Sequence, residues 1–335
     1  MTGDTSSAKK VDGKGGFLMP GLIDSHVYAF NKLGLNVLTH YEITTVFDMG
    51  SFPSSQMPQW HDVGDRGIAS LNFSGAAACV AGGFPSVLPG FPKDSEICSA
   101  ENATNFVETR VKEGVDFLKI FINDEQLPKQ EYQKIIKKGG EHYNKLLVSH
   151  APDYDSHKIA RDVGGKFITH LLKARALDKE SAQEMLDNGQ IAIPTLIMMR
   201  NLVNLGRRLG KPYDYTYSNE SVALLYKMGV PILAGTDADK PLQGLVLYGT
   251  SLHTEMELLK DDGMSTDDVL RSATFLPAKY FGLSDRGRIL PGMRADLLLL
   301  SADPFDEISN SGKIVQIWTA GTAVKGLFGR SLFRY

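Results

Sequence analysis

Two cysteines in 335 residues, Cys79 and Cys98, are too few for a disulfide framework or a thiolate zinc site, and they fit a chain kept in a reducing compartment. No run approaches the roughly 18 consecutive apolar residues that a membrane span needs. The first 16 residues, MTGDTSSAKKVDGKGG, lack the apolar centre of a secretion signal and read as a mobile segment. Nor does one charge dominate: 36 basic against 39 acidic residues give a net charge of -3, which leaves no electrostatic footprint for nucleic acid or an anionic membrane. The expectation is a cytoplasmic protein whose partner is a small molecule; a homo-oligomer is left open.

What is present is an alternation. Apolar or β-branched runs occur at LMPGLID (18–24), TTVFDMG (44–50), SLNFSGAA (70–77), DFLKIFI (116–122), LLVSH (146–150), KFITH (166–170), IAIPTL (191–196) and PILAGTD (231–237). Helix-length stretches such as NATNFVETRVKEG and DKESAQEMLDNG separate them, each closed by glycine. That pattern predicts an α/β chain with a (β/α)8 TIM barrel over 17–285. Residues 81–99, with Pro85, Pro89 and Pro92, read as a long loop on the barrel's active face. After the helical stretch DDVLRSATFLPAKYFGL, residues 286–335 predict a small antiparallel β appendage.

The chemistry falls at the strand ends. His26 follows the first strand, Lys119 lies in the fourth, and His150, His170 and Asp237 end the fifth, sixth and eighth. A barrel brings such ends to one mouth, where imidazoles and a carboxylate suit Zn²⁺ or a similar divalent ion. One histidine at a strand end is usually structural; four candidate ligands on separate strands are harder to explain that way. His253, in SLHTEMELL, reads as a helix residue with a structural or supporting role, and His40, His61, His142 and His157 read as solvated.

These residues, in this order, resemble the amidohydrolase superfamily, in its imidazolonepropionase-like and prolidase-like branch. The similarity runs through PGLIDSH, ITTVFDMG, VDFLKIF, VSHA, FITHLL and ILAGTDA to LHTEMELLKDDGMSTDDVLRSATFLPAKYFGL and GRILPGMRADLLLL. The resemblance implies a binuclear metal site: an HxH pair after strand one, a carboxylated lysine at Lys119, imidazoles at His150 and His170, and Asp237 as ligand and general base.

Two departures from the family pattern stand out. Tyr28 occupies the place of the second histidine, so the buried subsite keeps only His26, Lys119 and Asp237 while Lys119, His150 and His170 remain complete. One zinc on Lys119, His150 and His170, with His26 assisting it or orienting substrate, is the simplest expectation; a weakly binuclear site and a barrel with no catalytic metal are the alternatives. The family also begins with several strands before PGLID, whereas 19 residues precede Pro20, which predicts an incomplete β-sandwich and a trimmed first loop.

The leading functional expectation is a metal-dependent hydrolase of an amide, lactam or ester carbonyl, with Asp237 as base and Tyr28 facing the substrate. A lyase, isomerase or cyclase on the same barrel and a non-catalytic binding barrel are the alternatives. Phe84, Phe91 and the PTLIMMRNL segment, with Met198, Met199 and Arg200, suggest a largely apolar substrate, with an anionic group if Arg200 reaches it.

Overall fold

The computed structural model describes residues 10–61, 63, 67–123, 129–239 and 245–325. Two parallel sheets form the centre. One contains β2 (Leu22–Val27), β3 (Ile43–Asp48) and β4 (Ser70–Phe73), and the other β5 (Leu118–Phe121), β6 (Leu147–His150), β7 (Phe167–Thr169) and β8 (Ile191–Ile193). An antiparallel sheet joins β1 (Phe17–Pro20) to β9 (Leu297–Leu300), β10 (Ile314–Thr319) and β11 (Thr322–Ala323). The helices between are α1 (Lys32–His40), α2 (Ala100–Lys112), α3 (Gln130–His142), α4 (Tyr154–Val163), α5 (Lys179–Asp187), α6 (Leu196–Arg208) and α7 (Thr216–Met228). They are followed by α8 (Ser251–Asp261), α9 (Thr266–Ser272) and α10 (Phe275–Tyr280).

Backbone hydrogen bonds join the two parallel sheets at both edges. Ala78 N donates to Lys119 O at 2.9 Å and Phe121 N to Ala78 O at 2.8 Å, bridging β4's continuation to β5. On the other side the 231–238 segment bonds to β8 through Leu233 N and Ala192 O (2.9 Å), and to β2 through Ser25 N and Ala234 O (3.0 Å) and Asp237 N and His26 O (2.8 Å). This segment, expected to be a regular strand, pairs only through isolated bridges. Its Gly235 lies where a Cβ would come within 2.7 Å of Ile193 and 3.0 Å of His26, so the close approach needs glycine and breaks the regular pleat.

One end of this ring is plugged. Ile23, Phe47, Phe117, Val148, Phe167, Ile191, Ile193 and Leu233 form one buried cluster, and the Phe281 ring stacks on Phe47 at 3.8 Å and on Phe167 at 4.1 Å. Burying each such side chain contributes roughly 1.5–3 kcal/mol. The strands' C-terminal ends, at the other side, carry the polar residues.

The helices follow ordinary rules. In α2 the Ser99 hydroxyl accepts from Asn102 N, the buried positions Ala103, Phe106, Val107 and Arg110 recur at helical spacing, and Gly114 at φ +77° follows the helix end. The helical stretch before the appendage consists of two helices: α9 ends at Ser272 and Pro277 sits in the first turn of α10, where its missing N–H costs little.

Three expectations change, and a fourth falls in part outside the described residues. The run 18–24 is two strands: Gly21 packs its Cα face on Thr44, where no Cβ would fit, and the chain passes there from the antiparallel sheet into β2. The appendage is one antiparallel sheet among the described residues, rather than a partial sandwich, with β1 drawn from the front of the chain. His157 is buried, not solvated: Arg161 Nη1 lies 2.8 Å from its Nδ1, and burial with the neighbouring guanidinium pulls its pKa down to about 3. The mobile segment expected at 1–16 falls in part on residues 1–9, outside those described, as do 326–335 of the appendage. Among the described residues no helix is long and apolar enough to cross a membrane.

Candidate metal centre

The end of β2 is shaped by a buried carboxylate. Asp24 Oδ1 accepts from His26 N and Thr236 N, both at 3.1 Å, and Oδ2 accepts from the Thr236 hydroxyl at 2.7 Å. This fixes the backbone on either side of His26 and Asp237 in one hydrogen-bonded unit. Burial pushes the Asp24 pKa up to about 7, against the pull of its hydrogen bonds. Reasoning from strand ends misses Asp24 although it stands inside PGLIDSH; the available signal is an acid two residues before a candidate ligand.

His26 is fully buried, and its Nε2 lies 2.9 Å from Asp237 Oδ1 without hydrogen-bonding geometry. His170 Nδ1 lies 4.0 Å from Asp237 Oδ2 and 2.8 Å from the Thr195 hydroxyl, which holds the ring's orientation. His170, Thr195 and Asp237 all have left-handed backbones, at φ +71°, +50° and +62°. Non-glycine residues held this way cost of order 1–3 kcal/mol each and persist where the surroundings over-determine them, commonly at functional sites. One such support is Glu255 on α8, whose carboxylate oxygens accept from Leu196 N and Ile197 N at 2.8 Å and so anchor the start of α6 directly after Thr195.

Lys119 and His150 line the same end. Lys119 Nζ donates to the Thr169 hydroxyl at 3.1 Å, and burial brings its pKa down to about 7. The His150 ring stacks on Phe121 at 4.1 Å and meets His170 edge-on at 4.3 Å. Burial lowers the pKa of all three imidazoles well below the usual range, so they are neutral and able to ligate. Tyr28 moves the other way: burial first, then the carboxylates of Asp237, Asp48 and Asp239, keep its phenol protonated. Its ring lies 5.8 Å from that of His26.

One ligand atom from each of His26, His170 and Asp237 falls within 4.8 Å of the others, so these three of the expected residues converge most closely. Lys119 and His150 stand beside that group, with the His150 ring against that of His170. His26 Nδ1 and Nε2, His150 Nδ1, His170 Nε2 and Asp237 Oδ1 are buried and make no hydrogen bond among the described residues. Buried polar atoms are rarely left so, and neutral imidazole nitrogens gathered with a carboxylate oxygen are the donor set of a divalent cation.

The other residues singled out in the sequence divide. His253 is structural: its Nε2 meets Glu42 at 2.5 Å and its Nδ1 the Ser311 hydroxyl at 2.8 Å, tying α8 to the loop before β3 and to the appendage. Met199 is core, while Arg200 is half-buried on α6 and makes no ion pair among the described residues.

Over most of its length the chain is similar to an imidazolonepropionase of Idiomarina loihiensis, with 24% identity over 377 residues covering 95% of this chain and 86% of the relative. Its fold is similar to that of a Xaa-Pro dipeptidase with bound methionine in the active site, at TM-score 0.78 and 20% identity, covering 93% of this chain and 87% of the other. A putative prolidase from Bifidobacterium longum also gives TM-score 0.78, at 22% identity over 94% of this chain and 82% of the other. At those identities the likeness to the two structures speaks to fold alone. The sequence model of the amidohydrolase family matches residues 124–324, more than half the chain and the part that contains His150, His170 and Asp237, and the chain belongs to that family.

Proposed function

We propose that this protein is a metal-dependent hydrolase that cleaves an amide, lactam or related ester carbonyl of a small molecule, with Zn²⁺ held by His26, His170 and Asp237. The observation that carries the proposal is the convergence of those three side chains within 4.8 Å, buried and with bare ligating atoms. Bound there, zinc supplies a Lewis acid that polarises a carbonyl and brings the pKa of water toward neutrality.

The chain's own residues do the rest. The oxygen of water bonds to the carbonyl carbon, the bond to the leaving nitrogen or oxygen breaks, and the proton passes from water through the Asp237 carboxylate to the leaving atom. Tyr28, held protonated, donates a hydrogen bond toward the substrate from the position of the missing histidine. Burial lowers the Lys119 pKa and so favours the neutral amine, the form that reacts with CO₂, and we include its carboxylation in the proposal as the anchor for a second, weaker ion with His150.

Tyr28 also supports a second reading, a lyase or isomerase in which the phenol protonates a carbon centre. Product mass separates the two. Protein supplied with zinc and bicarbonate is incubated with a panel of N-acyl amino acids, anilides and lactams, and products are weighed by mass spectrometry. The hydrolase reading expects products that together exceed the substrate by one water, with none formed after chelation. A mass-neutral product, or loss of CO₂, favours the second reading.

A further inference from the structure

The mouth of the ring carries aromatic side chains held in solvent. Phe84, in the loop after β4, is 52% exposed and meets Phe121 edge-on at 5.7 Å; Phe121 in turn stacks on His150 at 4.1 Å. On the other side Phe30 is 45% exposed and stacks on Tyr28 at 6.2 Å and 19°, and Tyr28 leads to His26. Two aromatic ladders thus descend from the rim to the candidate ligands. Gly50 lies against the Tyr28 ring, where a Cβ would sit 3.4 Å from Tyr28 and 3.9 Å from Ala77, and Ala77 belongs to the buried cluster that holds Phe121, so small residues lie between the two ladders at their base.

The Phe84 ladder is held from below rather than draped on the surface. Arg110, fully buried, donates to Asp94, Glu113, the Ser95 hydroxyl and Ala76 O, and Cys79 exchanges backbone bonds with Ser95 and Ile97. Phe91 in the same loop is buried edge-on against Phe52. The loop is anchored at both ends, and between those anchors Phe84, Val87 and Leu88 stand exposed. Exposed apolar groups gathered at the entrance of a polar site mark a place where a ligand covers them.

We infer that the group of the substrate next to the scissile carbonyl is aromatic, a flat ring gripped between the Phe84–Phe121 and Phe30–Tyr28 ladders. This specificity rests on the hydrolase reading for its scissile bond but not for its ring. Offset and edge-on ring contacts contribute about 0.5–1.5 kcal/mol each beyond buried area, so one wall is worth up to about tenfold in affinity.

The test uses 2-naphthoate and octanoate, matched roughly in size, titrated calorimetrically into wild type, Phe84→Ala, Phe30→Ala and Leu33→Ala. Leu33 is 62% exposed, follows Phe30 closely along the chain and belongs to neither ladder, so it reports a general loss of apolar surface. The inference expects naphthoate to bind more tightly than octanoate, and Phe84→Ala and Phe30→Ala each to weaken naphthoate about five- to tenfold, with octanoate and the Leu33→Ala protein shifted less than about twofold. Equal affinities for the two acids, no naphthoate binding, or no effect of either phenylalanine substitution overturns it. Naphthoate binding without hydrolysis of any amide keeps this inference and removes the hydrolase; equal kcat/KM for acetyl and naphthoyl amides does the reverse.

Discussion

Asp237→Asn is expected to lower kcat by about 10³ while the protein stays folded. The substitution preserves the shape of the side chain and removes its capacity to take a proton, together with the negative charge it would offer the metal, and positioned general bases typically contribute about 10²–10⁴. The backbone favours this variant over alanine, because Asp237 sits at φ +62°, a conformation that asparagine tolerates better than most residues. Its backbone N–H also keeps its bond to His26 O. The check is steady-state hydrolysis beside the thermal unfolding midpoint. Unchanged midpoint and zinc content with collapsed kcat support Asp237 as base, lost zinc assigns the effect to its role as ligand, and retained kcat removes it from the mechanism.

Glu255→Ala is expected to cost about 2–4 kcal/mol of folding stability and most of the activity, although Glu255 touches no candidate ligand. Its two carboxyl oxygens accept from two buried N–H groups at the start of α6, and leaving such donors bare costs about 1–3 kcal/mol each. Those donors follow directly on Thr195, whose hydroxyl sets the His170 ring, so the loss travels to the site through one strained residue. Glu255→Gln, which can still accept one of the bonds, should recover part of both. There is a pH signature as well. Burial raises the Glu255 pKa from 4.5 to about 8, so between these values the folded chain holds a proton that the unfolded chain releases. That contribution is complete below pH 4.5 and fades as the pH rises through about 8; denaturant unfolding of wild type against Glu255→Gln should therefore show their difference shrinking across this window.

The strand ends are legible in the sequence because short apolar runs between helix-length stretches mark the parallel strands, and a ring of such strands puts all their C-terminal ends together. That logic alone places His26, Lys119, His150, His170 and Asp237 at one end. It does not give who touches whom. His26 and Asp237 meet because the 231–238 segment hydrogen-bonds directly to β2, a closure visible only in three dimensions. The left-handed turns at His170, Thr195 and Asp237 have no glycine to announce them. His157 misleads for a different reason: it sits on the polar-looking helix α4, yet Arg161 one turn later covers it. The split of residues 18–24 hides in Pro20-Gly21, which reads as the interior of one apolar run.

A cation held by His26, His170 and Asp237 is the claim on which the proposed chemistry depends. Elemental analysis of protein purified without chelator or added metal, in wild type and His170→Ala, measures this directly. About one equivalent of zinc in wild type, lost in His170→Ala while the variant's circular dichroism is unchanged, is the result expected. Wild type that stays metal-free after zinc and bicarbonate are supplied, or zinc retained at the same level without the His170 imidazole, contradicts it.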